Sequence, residues 1–159
     1  MMNRWRSRLL ALLILLTLSA SYLAQADDNE TGKSIRLEGI TVTGRALRLP
    51  ESGHPYTMIL VFATWCPICL GELPALEQFY ERHQQQGFLL VGLSEDTDQE
   101  ALQQLIQHDH LSFPILAVHN LRYSNLKDLG ITPVSYLINA HGKIVWRRVG
   151  AVDELLSRQ

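Results

Sequence analysis

Cys66 and Cys69 are the only cysteines in this chain of 159 residues, and two residues separate them. Residues 57–64, shortly before the pair, are apolar and rich in β-branched and aromatic side chains, which predicts a buried strand. Residues 70–86, which follow the pair, predict a helix that ends at Gly87. Cys66 is therefore expected at the N-terminus of this helix, where free N–H groups and the helix dipole stabilise a thiolate.

The chemistry that such a pair performs is thiol–disulfide exchange, in which a thiolate attacks a disulfide sulfur. Cys66 would supply the attacking thiolate, and Cys69 is near enough in the chain to resolve the mixed disulfide that forms. A purely structural disulfide is the alternative. A bridge between residues three positions apart closes a very short loop and removes little entropy from the unfolded chain, so the redox interpretation is favoured.

The N-terminal segment has the pattern of a secretory signal. Three arginines within residues 1–8 precede an uncharged run at 9–26, and Ala24 and Ala26 supply the small side chains of a cleavage site. The uncharged run is also just long enough for one membrane span. We therefore expect residues 1–26 to be a signal peptide, or alternatively an uncleaved membrane anchor, with the remaining chain outside the cytoplasmic membrane in either case.

The remaining chain is acidic and has the size of one domain. Three of the 14 basic residues and none of the 16 acidic residues lie in residues 1–26, so the remainder carries a net charge of −5. This charge argues against nucleic acid as a partner. Residues 27–34 are polar and are expected to form a flexible lead-in. Residues 35–159 contain no repeat, low-complexity tract or internal linker, and they suffice for a single hydrophobic core.

Predicted strands and helices alternate along the domain. A hairpin of two strands comes first, and residues 97–100 form a capping box that is expected to open a helix. The predicted elements around the central strand and helix are strands at 35–42, 46–49, 88–94 and 113–118, a helix opened at 97–100, a short helix at 120–129 closed by Gly130, strands at 134–139 and 143–149, and a last helical turn at 152–156. This order predicts an α/β sandwich around a mixed sheet, with functional loops at the C-terminal ends of the strands.

Four motifs together resemble the thioredoxin-like superfamily, and within it the TlpA, ResA and DsbE branch of exported thiol–disulfide oxidoreductases. The resemblance covers roughly residues 35–150. The motifs are Phe-Ala-Thr-Trp-Cys-Pro-Ile-Cys at 62–69, Gly-Glu-Leu-Pro at 71–74, the segment 130–138 around Pro133, and the hairpin at 139–145. The resemblance implies that residues 35–159 form a thioredoxin-like three-layer α/β sandwich with a central mixed sheet and an N-terminal β-hairpin.

The resemblance also implies roles for the residues at and opposite the pair. Cys66 would be the nucleophile that faces solvent, Cys69 the resolving thiol one turn deeper, and the two would form a redox-active disulfide. Pro133 matches the cis-proline beside the disulfide, which would leave the backbone of Thr132 available to an extended client strand. An ordinary trans proline at the start of a strand is the alternative.

Two residues next to the cysteines are expected to support the pair. Trp65 would cover the sulfurs from solvent, or it would be an ordinary half-buried aromatic side chain. Pro67 suits the first turn of a helix, because a proline there sacrifices no intrahelical hydrogen bond. Both residues belong to the first of the four motifs and are therefore expected to lie at the active site.

Glu72 is the candidate for proton transfer. It lies six residues after Cys66 on the same helix, and in this branch an acid at that place sits beneath the active site. A partly buried carboxyl group there would have a raised pKa and would relay a proton to or from Cys69. Thioredoxin has a buried aspartate six residues before its first cysteine, but the corresponding residue here is Leu60. A solvated glutamate on the helix surface is the alternative.

The resemblance implies a reductase of client disulfides, of the kind that serves cytochrome c maturation or copper-site assembly, and no cofactor. A membrane electron donor of the DsbD type would reduce the pair again, since the compartment is oxidising. The same cysteines would alternatively serve an oxidase or isomerase, although Ile68 offers no charge to stabilise the thiolate. A Cu(I) carrier is disfavoured, because related copper-assembly proteins have three residues between the cysteines and a later histidine ligand, so no metal site is expected.

Overall fold

The computed structural model describes residues 30–152. The predicted signal peptide or anchor, residues 1–26, lies outside the described residues, and so does nearly all of the helical turn predicted at 152–156. Among residues 30–152, no helix is both long and apolar enough to span a membrane.

The described residues form one seven-stranded mixed sheet with two α-helices. The elements are β1 (Leu37–Thr41), β2 (Ala46–Leu49), β3 (Tyr56–Phe62), α1 (Pro67–His83), β4 (Phe88–Ser94), α2 (Gln99–His108), β5 (Ile115–Ser124), β6 (Val134–Asn139) and β7 (Ile144–Val149). The strand order is β2-β1-β5-β4-β3-β6-β7, and the β3–β4 and β4–β5 pairs are parallel. The predicted α/β fold with a mixed sheet and an N-terminal hairpin is confirmed.

The central strand β3 contributes side chains to a hydrophobic core on each face of the sheet, as its apolar sequence predicts. Ile59 and Val61 belong to one core, and Leu60 belongs to the other. Both helices pack against the Leu60 face, through residues such as Leu73 of α1 and Leu102 of α2. Cys66 and Cys69 belong to this second core as well, so the redox pair is built into the helix-covered face.

The helix predicted at residues 120–129 is wrong. The chain continues there as β5 to Ser124, and a loop follows it. The first part of β5 pairs with β4 on one side, and β1 pairs with β5 on the other side as far as Ser124, with Leu121 opposite Gly39. An added Cβ at Gly39 would lie 2.7 Å from the Leu116 side chain, so glycine permits this close approach. The long-range pairing with β1 outweighs the local preference for a helix.

The N-terminal cap of α2 is Asp98 and not Thr97, the first residue of the predicted capping box. The Asp98 carboxylate accepts hydrogen bonds from the N–H groups of Glu100 and Ala101 at 3.0 and 3.1 Å. The helix itself was expected, and its start is one residue later than the pattern suggested. Aspartate is at least as good an N-cap residue as threonine, which explains the shift.

The end of the lead-in expected at residues 27–34 is fastened to the last hairpin. The Gly32 N–H donates to the Ile144 carbonyl at 2.8 Å, and the Ile35 N–H donates to the Gly142 carbonyl at 2.8 Å. Gly142 has a φ of +75°, and a Cβ at this position would lie 2.8 Å from the Ile35 carbonyl oxygen. Glycine is therefore required at this turn, for its backbone conformation and for space.

Candidate active site

Cys66 caps the N-terminus of α1, directly after the turn that follows β3. It has an extended backbone, and its Sγ accepts a hydrogen bond from the Cys69 N–H at 3.2 Å. Pro67 occupies the first turn of α1, as the sequence predicts. The pair forms a disulfide with its Cα atoms 5.3 Å apart. The Cys69 backbone N–H therefore points at the Cys66 sulfur. This arrangement stabilises a thiolate at Cys66 after reduction.

The two cysteines differ slightly in their access to solvent. Cys66 is 5% exposed, and Cys69 is fully buried. Cys66 thus faces solvent less than the resemblance implies, but it is the more accessible of the two. The first turn of α1 contains no acidic residue, so no carboxylate on that turn opposes a thiolate at Cys66.

The loop before β6 comes to the same end of the sheet as the pair. Val134, the first residue of β6, pairs with Val61 of β3, and Cys66 follows β3 a few residues later. The Thr132–Pro133 peptide bond is cis, Pro133 is buried, and Thr132 is half-buried. The two segments that carry the predicted site residues are therefore brought together by the β3–β6 pairing.

Exposed apolar side chains flank the nearly buried pair. Trp65 is 65% exposed, Ile68 57% and Ile131 46%, and Pro67 is exposed too. Trp65 is thus more exposed than the half-buried aromatic side chain that was the alternative expectation. Apolar side chains that remain exposed around a reactive group commonly mark a protein-binding surface.

Glu72 is buried, with 4% of its surface exposed. It lies three residues after Cys69 on α1, so the two residues share one side of the helix. The Glu72 Oε2 accepts a hydrogen bond from the Val152 N–H at 2.8 Å. The alternative of a solvated surface glutamate therefore does not describe Glu72.

A second buried carboxylate, Asp96, holds the turn that leads to Cys66. Asp96 is 3% exposed, and its oxygens accept hydrogen bonds from the Thr64 N–H at 3.0 and 3.1 Å and from the Thr64 hydroxyl. The Ser94 hydroxyl donates to the same carboxylate at 2.8 Å. Sequence reasoning missed Asp96, although its place at the end of a strand parallel to β3 puts it at the same edge of the sheet.

The neighbouring Glu95 holds the other loop of the site. Its Oε1 accepts a hydrogen bond from the Gly130 N–H at 2.9 Å, and its own N–H donates to the Phe62 carbonyl at 2.9 Å. Glu95 and Asp96 together connect the end of β4 to the loop before Cys66 and to the loop before Pro133. These two acidic residues therefore fix the spacing between the two halves of the candidate site.

A third polar cluster anchors the loop before Pro133 to β6 and β7. Asp128 accepts hydrogen bonds from the Tyr136 hydroxyl and from the Arg147 guanidinium, the latter at 2.8 Å. The Arg147 hydrogen bond is the main reason that the pKa of Asp128 is lowered, although burial opposes it. Burial and the hydrogen bond to Asp128 raise the pKa of Tyr136. The cluster is therefore a partly buried ion pair whose carboxylate also accepts a hydrogen bond from a tyrosine hydroxyl.

Within residues 30–152, no group of three or more His, Cys, Asp or Glu side chains has an arrangement that could hold a metal ion. The chemistry available at the site, as far as the described residues define it, is that of the two sulfurs and the nearby carboxyl group of Glu72.

Comparison with known proteins places this site in a family. The model of the AhpC/TSA family matches residues 30–147, which include the cysteine pair, Glu72 and Pro133. The chain belongs to the AhpC/TSA family. The match spans most of the chain and ends within β7.

Two curated relatives of this AhpC/TSA protein are named as thiol-disulfide oxidoreductases. Thiol-disulfide oxidoreductase ResA of Bacillus cereus is 25% identical over 154 residues, which cover 93% of this chain and 89% of the relative. Sporulation thiol-disulfide oxidoreductase A of Bacillus subtilis is 26% identical over 130 residues, which cover 80% of this chain and 78% of the relative. This AhpC/TSA protein is a thiol–disulfide oxidoreductase with the CxxC pair Cys66–Cys69.

Solved structures confirm the thioredoxin-like fold. StoA from Bacillus subtilis matches with a TM-score of 0.60 and 24% identity, over 77% of this chain and 94% of StoA. A structure described as a thiol:disulfide interchange protein DsbE from Chlorobium tepidum matches with a TM-score of 0.67 and 17% identity, over 82% of this chain and 92% of that one. At these identities the likeness concerns the fold.

Proposed function

We propose that this protein is an exported reductase of protein disulfides. The Cys66 thiolate attacks one sulfur of a client disulfide, and the other client sulfur leaves as a thiol. Cys69 then loses its proton and attacks Cys66 in the mixed disulfide, which releases the second client thiol and leaves the Cys66–Cys69 disulfide. The observation that carries the proposal is the position of Cys66, which caps α1, receives the Cys69 N–H and is the more exposed sulfur.

The client surface in this proposal is the set of exposed apolar residues beside the pair. Trp65, Pro67, Ile68 and Ile131 would contact apolar side chains around the client disulfide. An extended client segment would meanwhile hydrogen-bond to the backbone of Thr132. Specificity for a protein rather than a small disulfide would come from these contacts.

Glu72 is the proposed proton acceptor for Cys69. A buried thiol gives up its proton reluctantly, because burial disfavours the thiolate. The burial of Glu72 on the same side of α1 as Cys69 supports a direct or water-mediated transfer between them.

The proposed location of the domain is outside the cytoplasmic membrane. Residues 1–26 act as the signal peptide or anchor that directs it there. The pattern of charge, apolar run and small residues supports this proposal. A solved structure with 21% identity is described as a secreted Mycobacterium tuberculosis disulfide oxidoreductase homologous to E. coli DsbE. We further propose that a DsbD-type membrane donor keeps the pair reduced, and that the clients belong to cytochrome c maturation or copper-site assembly.

Thiol labelling in intact spheroplasts tests both direction and location. A membrane-impermeant maleimide that adds mass is applied to cells that express the full chain, with and without prior reduction by dithiothreitol. A reduced protein outside the membrane is labelled without prior reduction, as we expect. Labelling only after reduction would indicate an oxidase, and no labelling in either case would contradict export.

A further inference from the structure

The three residues after β7 connect the two halves of the candidate active site. The Gly150 N–H donates a hydrogen bond to the Pro133 carbonyl at 2.9 Å. Two residues later, the Val152 N–H donates to the Glu72 Oε2 at 2.8 Å. Residues two positions apart have Cα atoms within about 7 Å of each other, so one short segment holds both the Pro133 loop and the α1 carboxylate. We call residues 150–152 the strap.

The strap enters the core of the protein. Val152 is fully buried, and it belongs to the same hydrophobic core as Cys66 and Cys69. Gly150 has a φ of +93°, a conformation that glycine adopts readily and other residues rarely do. The chain leaves the edge strand β7 at this glycine and reaches α1 two residues later. The Val152 N–H therefore meets Glu72 within the core that contains the redox pair.

The hydrogen bond from Val152 restricts the carboxylate of Glu72. A glutamate side chain has three rotatable bonds, and a proton acceptor works only within hydrogen-bond reach of its donor. Glu72 and Cys69 lie three residues apart on α1, so their side chains leave the helix on the same side. A backbone N–H that holds one carboxylate oxygen therefore orients the group that the proposed resolving step needs.

We propose that Val152 is a positioning residue for the resolving step, in which its N–H orients the Glu72 carboxylate. Glu72 takes the proton of Cys69 while the Cys69 sulfur bonds to Cys66, and the client sulfur leaves as a thiolate with the electron pair of the broken disulfide bond. This inference rests on the proposed reductase function. It adds to that function a segment that lies outside the four sequence motifs.

The test separates attack from resolution. The full chain is reduced and mixed with one equivalent of DTNB, an aromatic disulfide whose coloured thiolate is released in two steps. The first release reports the attack by Cys66, and the second reports the resolution by Cys69. A positioning role for Val152 concerns only the second release, because Glu72 serves Cys69.

Two variants of Val152 isolate its N–H. Val152→Pro removes the N–H, whereas Val152→Ala keeps it and also loses buried side-chain atoms. We expect the second release to be about tenfold slower in the proline variant than in the alanine variant, the effect of about one lost hydrogen bond. In a Glu72→Gln background the two variants should differ by less than about twofold, because an amide accepts no proton from Cys69 in any orientation.

The outcomes distinguish this inference from the proposed function. Equal slowing of the second release by Val152→Pro in both backgrounds would mean that the strap is only structural. A native-like second release in Val152→Pro would mean that the N–H does not matter. Either result overturns the inference and leaves the reductase function standing. A missing first release would instead contradict the attack by Cys66, and with it the function on which this inference rests.

Gly150→Ala is the second variant if Val152→Pro does not fold. A Cβ at a φ of +93° strains the strap but leaves the Val152 N–H in place. We expect the second release to slow severalfold, and we expect this slowing to disappear in the Glu72→Gln background. Slowing that persists there would overturn the inference.

The contact itself is tested by NMR, without any chemistry at the sulfurs. Glu72→Met removes the acceptor at a similar side-chain length, so the Val152 amide proton should shift upfield and exchange faster with solvent. Glu77→Met is the matched control, because Glu77 is buried on the same helix and accepts from the Ser112 N–H instead. An unchanged Val152 amide in Glu72→Met would overturn the inference.

Discussion

Glu72 lies three residues after Cys69 on α1, and the fold buries its carboxylate. Glu77, on the same helix, is buried to a similar degree, at 6% exposure against 4%. The Glu77 carboxylate is held by the N–H and hydroxyl groups of Ser112, far along the helix from the sulfurs. The chain therefore offers two buried glutamates on one helix, of which only one lies near the redox pair.

Glu72→Gln is expected to slow disulfide exchange near neutral pH while the fold stays intact. The change keeps the size and polarity of the side chain but removes the base that would accept the Cys69 proton. Losses of a general base are typically about 10²–10⁴-fold, and water can substitute in part, so we expect about 10²-fold or less. The measurement is the exchange rate as a function of pH.

Glu77→Gln is the control for this experiment, since it makes the same chemical change at a buried site away from Cys69. Its pH–rate profile should follow that of the native protein. If the Glu72→Gln profile also superimposes on the native one, the proton-transfer role of Glu72 is wrong and its burial is purely structural.

At the scale of elements, the end of β4 controls how the two active-site loops meet. Asp96→Asn replaces a carboxylate that accepts from the Thr64 N–H, the Thr64 hydroxyl and the Ser94 hydroxyl. One end of the amide is a donor, so at least one of these groups loses its partner inside the protein. We expect the free energy of unfolding to fall by roughly 1–3 kcal/mol, measured by urea unfolding. We also expect the rate of disulfide exchange to fall, measured by kinetics.

Asp109→Asn is the matched control for Asp96→Asn, because among residues 30–152 the Asp109 carboxylate pairs only with the exposed ring of His108. Its effect on stability should be below about 0.5 kcal/mol. A native-like stability and exchange rate for Asp96→Asn would show that the turn before Cys66 does not depend on Asp96.

The Asp128 cluster predicts how stability depends on pH at the base of the Pro133 loop. Hydrogen bonds from Arg147 and Tyr136 lower the pKa of Asp128 from its ordinary value of 3.8. A carboxyl group with a lowered folded pKa stabilises the fold above its unfolded pKa, and this stabilisation is lost as the pH falls through the folded pKa. Asp128→Asn should therefore destabilise the protein at pH 7, and the difference from the native protein should shrink in acid.

Urea unfolding of both proteins between pH 7 and acid pH measures this difference. A constant gap between native and Asp128→Asn proteins across that range would mean that the charge of Asp128 contributes nothing and that only its shape matters.

Local patterns in the sequence predicted much of this architecture, because neighbouring residues decide those features. The Thr43–Arg45 turn, the strand at 88–94 and the position of Cys66 at a helix start all follow from short stretches of chain. The prediction of a helix at 120–129 was wrong because the first part of that segment pairs with β1, which lies about 80 residues earlier in the chain. Asp96 was missed for the same reason, since its contact to Thr64 joins residues 32 positions apart.

The exposure of Trp65 was beyond sequence reasoning, and the burial of Glu72 was expected only from the family resemblance. Burial of Glu72 depends on the return of the chain to Val152, 80 residues later. Exposure of Trp65 depends on what the rest of the fold leaves uncovered around the pair. Both properties are set by the packing of distant segments, which a local pattern does not contain.

At the scale of the whole molecule, the parallel strands place the candidate active site at one end of the sheet. The carboxyl ends of β3 and β4 hold the redox pair and the acidic residues that place its loops. A cavity lined by Tyr80 and Leu89 lies near the amino end of β4. Helix α1 runs between them, with Cys66 at its start and Tyr80 near its end.

The central claim is that Cys66 attacks client disulfides and Cys69 resolves the product. The most direct test is to express the full chain as Cys69→Ser and as Cys66→Ser, and to count the mixed disulfides that each variant forms with other proteins on non-reducing gels. Cys69→Ser should accumulate complexes, because the attacking sulfur remains and the resolving sulfur is gone, whereas Cys66→Ser should form none. Equal or greater trapping by Cys66→Ser would contradict the account.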